Sequence, residues 1–221
     1  MMCFSAPVSF TTGLVISTIG ILAVRQARQP EMRLLAAVPL LFGIQQLTEG
    51  FIWLALAKTE ASSELYGLAQ FYAFFIGVLW PILFPLSLML LEPNKTRRRL
   101  MGGLLVPGVG IAIYTLVVMG LYGFSVQVEH QCLVYQNPAG TWPGMEMVYL
   151  LVVCGAFFIA SDHRLHWIGV ANLAGFGFAA SFFALNLPSV WCFCAAVLSS
   201  LIYWYVRSMP AGASQVVAEH P

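Results

Sequence analysis

Apolar stretches near twenty residues long follow one another along this chain, separated by short connections that carry most of the charge. A hydrocarbon core of ~30 Å is crossed by roughly 20 helical residues, whereas a barrel strand needs only about ten. Backbone groups in lipid must bond within their own segment or within a closed barrel, so runs of this length select helices. Seven such stretches are placed near 6–24, 34–57, 66–91, 100–122, 143–161, 167–186 and 188–206. Composition agrees, because 60% of residues are hydrophobic and 9% charged, too few polar groups to cover a water-facing surface. The net charge of +1 argues against a nucleic-acid partner, which requires clustered Lys and Arg on a solvated face. The expected fold is therefore all-α, a polytopic transmembrane bundle of seven helices forming one domain over 1–207, with 208–221 as a disordered cytoplasmic tail.

Loops rich in Lys and Arg stay in the cytoplasm. Arg25, Arg28 and Arg33 fall in the first connection, Lys95, Arg97, Arg98 and Arg99 in the third, Arg164 in the fifth, and Arg207 after the last helix. Only Lys58 lies in an even-numbered connection, so the alternation predicts an N-terminus outside and a C-terminus inside. The start, Met1-Met2-Cys3-Phe4-Ser5-Ala6-Pro7, has no basic region, so a cleaved secretory signal is not expected. Asn186 before Pro188 and Thr141 before Pro143 both read as a cap followed by proline in the first helical turn. Trp80-Pro81 with Pro85 predicts a kinked third helix, and Gly13, Ser17 and Gly20 give the first helix a face for close packing.

The sharpest chemical signal is Glu49, a carboxylate inside a membrane-length helix. Such groups usually face the bundle interior or a wet cavity. Gln45, Glu49 and Trp53 are four apart and share a helical face, with Gln46 beside them. Glu49 is accordingly the candidate catalytic residue, and Gln45, Gln46 and Trp53 are candidate ligand-binding residues; helix glue through a protonated Glu49 is the competing structural reading. The topology brings Cys3, His130, Cys132 and Cys192 to the same outer side. Cys, His and Glu are ligands of zinc, and thiolate with imidazole also suits copper or haem iron. Cys3, Glu49, His130 and Cys192 form the candidate metal set. A disulfide from Cys132 to Cys3 or Cys192 competes with it, since the outer face is oxidising. The segment from Phe124 to Trp142, with Val126, Val128 and His130 alternating with polar residues, reads as a short hairpin or lid, or else an irregular loop.

Asp162-His163-Arg164-Leu165-His166 reads as a solvated cytoplasmic connector, Cys154 and Cys194 as buried thiols, and Trp167, Tyr203, Trp204 and Tyr205 as an interfacial belt. A retinal Schiff base is not expected, because neither Lys58 nor Lys95 falls within one of the seven stretches.

Met2-Cys3-Phe4-Ser5-Ala6, the block Gln45-Gln46-Leu47-Thr48-Glu49-Gly50, His130, Asp162 and Val190-Trp191-Cys192 together resemble an uncharacterised family of bacterial multi-pass membrane proteins that begin Met-Cys-(Phe/Trp)-Ser-Ala. The resemblance spans nearly the whole chain and implies a bacterial plasma (inner) membrane location with the lipid bilayer as partner. It implies no activity. Where some relatives carry His-Gln, this chain has Gln45-Gln46. The alternatives open at this point are a metal- or redox-active site around Glu49, a proton-coupled carrier of small molecules, and a non-catalytic sensor or assembly protein.

Overall fold

The computed structural model describes residues 5–58, 63–129, 132–140, 142–182 and 187–209. Among them are seven long helices: α1 (Ala6–Gln26), α2 (Arg33–Leu56), α3 (Ser63–Leu91), α4 (Lys95–Leu121), α5 (Met145–Ile159), α6 (His163–Phe182) and α7 (Leu187–Ser208). A 3-10 turn, Pro30–Met32, leads into α2. Five spans, α1, α3, α4, α6 and Pro30–Leu56, are long and apolar enough to cross a membrane. α5 is apolar but shorter, at 15 residues. Many positions turned outward are apolar, among them Leu14, Phe51, Val106, Ile113, Leu151, Phe178 and Val197, the inverse of a water-soluble surface.

Successive helices run in alternating directions. Close approach of α1 to α2 depends on glycine: a Cβ on Gly20 would lie 2.3 Å from the Leu40 backbone nitrogen, and one on Gly13 would lie 2.8 Å from the Leu47 side chain. Gly43 meets Ser17 and Gly50 meets the Phe10 ring in the same seam, as the small-residue face predicts. α3 and α4 approach as tightly. Pro85 cannot donate to the Pro81 carbonyl four residues earlier, and Gly108 of α4 packs against that carbonyl, 2.3 Å from where a Cβ would sit.

Where a kink is expected at Trp80-Pro81, α3 carries a π-helical segment, Phe75–Leu79, immediately before it. Its effect is rotational. Tyr72 and Trp80 are eight residues apart and would diverge by about 80° on an uninterrupted α-helix, but one residue absorbed by a π turn reduces this to about 20°. Both side chains then face α2.

Between α4 and α5 a two-stranded antiparallel hairpin, β1 (Ser125–Glu129) and β2 (Cys132–Gln136), covers one end of the bundle. The hairpin reading thus replaces the irregular loop. Its inward face differs from strict alternation: Val126 is buried, whereas Val128 is 46% exposed. At the hairpin root, the Gln70 side chain pairs with the backbone of Phe124 in both directions, donating at 2.8 Å and accepting at 3.0 Å. At the opposite end lie Arg25, Arg28, Arg33, Lys95, Arg97, Arg98, Arg99, Arg164 and Arg207, nine of the ten basic residues.

Several boundaries depart from expectation. α5 begins at Met145, because Trp142-Pro143-Gly144-Met145 forms a turn closed by a Met145 N–H to Trp142 carbonyl bond, with Gly144 at φ 84°. Pro-Gly at the centre of four residues specifies a type II turn, and that chemistry overrides a helix start at Pro143. Thr141 and Asn186, the expected caps, lie outside the described residues. α4 begins at Lys95 instead of near 100, because Asn94 accepts from the Thr96 and Arg97 N–H groups as its cap. α7 continues through Ser208, and residues 210–221 of the expected tail lie outside the described residues.

Candidate functional site

Glu49 points into the bundle and is 0% exposed. It sits about 10 Å from the hairpin end of α2, seven residues before Leu56. Its Oε2 accepts from Tyr72 Oη at 3.2 Å and from Gln46 Nε2 at 3.4 Å. One turn below, Gln45 Oε1 accepts from Trp80 Nε1 at 2.9 Å, and the Trp80 ring stacks on Phe42 with centroids 4.1 Å apart. The two polar pairs are a direct result of the π segment, which turns Tyr72 and Trp80 onto the face presented by Gln45 and Glu49. Each pair satisfies groups that would be costly to bury alone.

The hairpin reaches this chain through an aromatic stack. Tyr135 of β2 lies on Tyr72 with ring centroids 4.4 Å apart and planes 4° apart. Ile52, Ala69, Tyr72, Val126 and Leu133 form a small apolar cluster around the stack, with Trp53 packed against it. Trp53 Nε1 is buried without a hydrogen-bond partner, as is Gln46 Oε1.

Cys132, at the start of β2, is disulfide-bonded and 2% exposed. Cys154 and Cys194 are free; the first is buried, the second half-buried. Cys3 and His130 lie outside the described residues, and Cys192 lies on α7 with its side chain likewise outside them. Of the sequence candidates, Gln46 and Glu49 are therefore joined in one buried chain and Gln45 in a second polar pair one turn away, with Trp53 at the edge. Tyr72, Trp80 and Tyr135 complete these contacts and carry no separate signal in the sequence, apart from the proline beside Trp80.

A second polar cluster lies at the basic end, where the sequence suggests only a solvated connector. Glu92 follows α3, is 5% exposed, and accepts from the backbone N–H groups of Asn94 and Ser161 and from the Ser161 hydroxyl. Arg97 donates to the carbonyls of Ile159 and Ala160 at the end of α5, and His166 Nε2 contacts the same Ala160 oxygen at 2.9 Å. These are the acceptors a helix C-terminus leaves unsatisfied. Asp162 and Arg164 form an ion pair at 2.6 Å; Arg164 also donates to Ser208 and lies over the Tyr205 ring. Tyr205 is 1% exposed, so it belongs to this cluster and not to an interfacial belt. Burial opposes ionisation of Glu92, but the Ser161 and Asn94 hydrogen bonds and the Arg97 charge outweigh it and lower its pKa. Asp162 is likewise held low against burial, by hydrogen bonds and charge from Arg164 and by Tyr205. Every member ties one helix end to another, so we read this cluster as structural.

No curated protein and no solved structure matches the chain. A model of a family of unknown function matches residues 2–216, nearly the full length of 221, and the chain belongs to that family, DUF6629.

Proposed function

We propose that this is an integral membrane protein of the bacterial plasma membrane, crossing it seven times, with the hairpin end outside and the basic end in the cytoplasm. Supporting the reading are the apolar outward positions and the gathering of nine of ten basic residues at one end. α5 is about 22 Å long and would be the shortest span, accommodated by local thinning or by its neighbours. A reporter fused after Arg207 should be cytoplasmic, and one inserted between Gln136 and Gly140 extracytoplasmic. Exchange of the two signals would overturn this topology.

The function this geometry supports best is binding of a small polar ligand at the outer half of the bundle, with Glu49 as its acidic group. One observation carries it: the chain Gln46–Glu49–Tyr72 is fully inside the bundle yet lies directly under a hairpin anchored at Cys132. The disulfide at Cys132, with Cys154 and Cys194 free, supports a bridge from Cys132 to Cys3 or Cys192. That leaves one of these two thiols for a metal. A set of Cys3, Glu49, His130 and Cys192 around zinc, copper or haem iron would thus lose a ligand, and we favour the disulfide.

A carrier would need a second polar relay toward the cytoplasm, and the polar groups there, Glu92 and Asp162, are engaged in capping helix ends. Glu49→Gln keeps size and hydrogen bonding but removes the titratable proton. It should abolish ligand binding or activity while leaving expression and thermal stability near wild type. Unchanged binding, flux and metal content in that variant would leave Glu49 as helix glue.

A further inference from the structure

Buried polar groups almost always find partners, so several orphaned atoms in one place point to something that joins them. Ser9 on α1 is 0% exposed and its hydroxyl has no partner; Gln46 Oε1, on a residue 1% exposed, and Trp53 Nε1 have none either. The contacts Phe10–Gly50, Gly13–Leu47 and Ser17–Gly43 set the level of α1 against α2. At that register Ser9 stands beside position 51, between Glu49 and Trp53. Gln46 and Trp53 are seven residues apart, so they lie about 20° apart on α2 and within about 10 Å along it. Their side of α2 falls between the face that meets α1 and the face that meets Tyr72 and Trp80.

We infer that Ser9, Gln46 and Trp53 hold a small uncharged hydroxylic guest beside Glu49, on the flank of the α1–α2 seam. The chemistry sets the class. Gln46 Oε1 requires a donor, Trp53 Nε1 requires an acceptor, and the Ser9 hydroxyl accepts either role. A hydroxyl group offers both at once, whereas an inorganic cation offers no acceptor to the indole N–H and a simple anion offers no donor to Gln46 Oε1. Bound water and the hydroxyl of an organic solute share this chemistry.

The inference deepens the reading of the Glu49 region as a binding site, and its test leaves Glu49 untouched so that the two can fail separately. Thermal unfolding of the purified full chain in detergent is compared for wild type, Ser9→Ala, Trp53→Phe and the double variant. These side chains share no hydrogen bond, so a common guest would couple them, and Ser9→Gly, which removes the hydroxyl and the Cβ together, separates loss of the guest from loss of packing. Each single substitution should lower the midpoint by a few degrees, and the double should fall no further than the larger single. Native mass spectrometry separates the two sources: a small mass bound to wild type and absent from the double variant identifies an organic solute, and coupling without added mass identifies water. Additive effects overturn the inference, as does a rise in midpoint on substitution, the result expected where an orphaned polar atom is simply replaced by an apolar one.

Discussion

Gly20→Ala should destabilise the bundle by ~3 kcal/mol or more, although it adds a single methyl group. A Cβ at this position would lie 2.3 Å from the Leu40 nitrogen and 2.5 Å from its Cα, so the obstruction is backbone and cannot be relieved by a rotamer change. α1 and α2 would have to separate along their whole seam, loosening Gly13 from Leu47 and Gly43 from Ser17 as well. In a membrane, packing of this kind carries much of the association between helices, because lipid is as apolar as the side chains it would replace. Gly103→Ala is the matched control. Nothing lies within 4 Å of a Cβ there, and alanine in a helix interior is favoured over glycine by up to about 1 kcal/mol. Thermal unfolding in detergent should show a large drop for the first variant and no loss for the second. Equal behaviour of the two would mean that the α1–α2 seam yields.

Which features can be read from a sequence of this kind follows from the range of the forces involved. The seven helices are legible because a long apolar stretch is a local signal, readable without knowing any partner. Likewise, Gln45 and Glu49 share a face by their spacing alone, and they do so in the folded chain. Their partners are a different matter. Tyr72 and Trp80 face them only because Phe75–Leu79 takes a π turn, and a rotation of that sort depends on how α3 seats against α2 and on Gly77 against Thr115 of α4. Pro81 marks the region but not the direction in which the register moves. Local chemistry also misleads where two short motifs compete, as at Pro143, which serves a type II turn with Gly144 and not the first turn of α5. Tyr205 beside Trp204 resembles an interfacial belt in sequence, yet the two point to opposite surroundings, 1% and 51% exposed. Glu92 carries no signal in the sequence, because a charged residue at the end of an apolar run is ordinary, and its partner Ser161 is 69 residues away.

Glu92 is where a single side-chain truncation at the basic end should cost most. Its carboxylate gathers the Asn94 N–H, the Ser161 N–H and the Ser161 hydroxyl, joining the end of α3 and the start of α4 to the corner between α5 and α6. Glu92→Ala would leave these donors without an acceptor at a nearly buried position, and would free Arg97 from a neighbouring negative charge. Unsatisfied groups of this kind cost ~1–3 kcal/mol each, reduced where water can enter, so a total of about 3 kcal/mol at neutral pH is expected. Acid should reproduce part of the loss. Because the folded chain holds Glu92 below its ordinary value of 4.5, and Asp162 below 3.8, the unfolded chain takes up protons first as pH falls. The stability contributed by both groups is complete above their ordinary values and declines as pH drops through the lowered ones. Unfolding midpoints measured from pH 7 to pH 3 should therefore hold steady and then fall for wild type. Glu92→Gln, which starts lower because its amide cannot accept three hydrogen bonds as the carboxylate does, should fall less steeply, with Asp162 alone still titrating. Parallel curves for the two proteins across that range would show that the carboxylate charge of Glu92 contributes nothing to holding the four helix ends together.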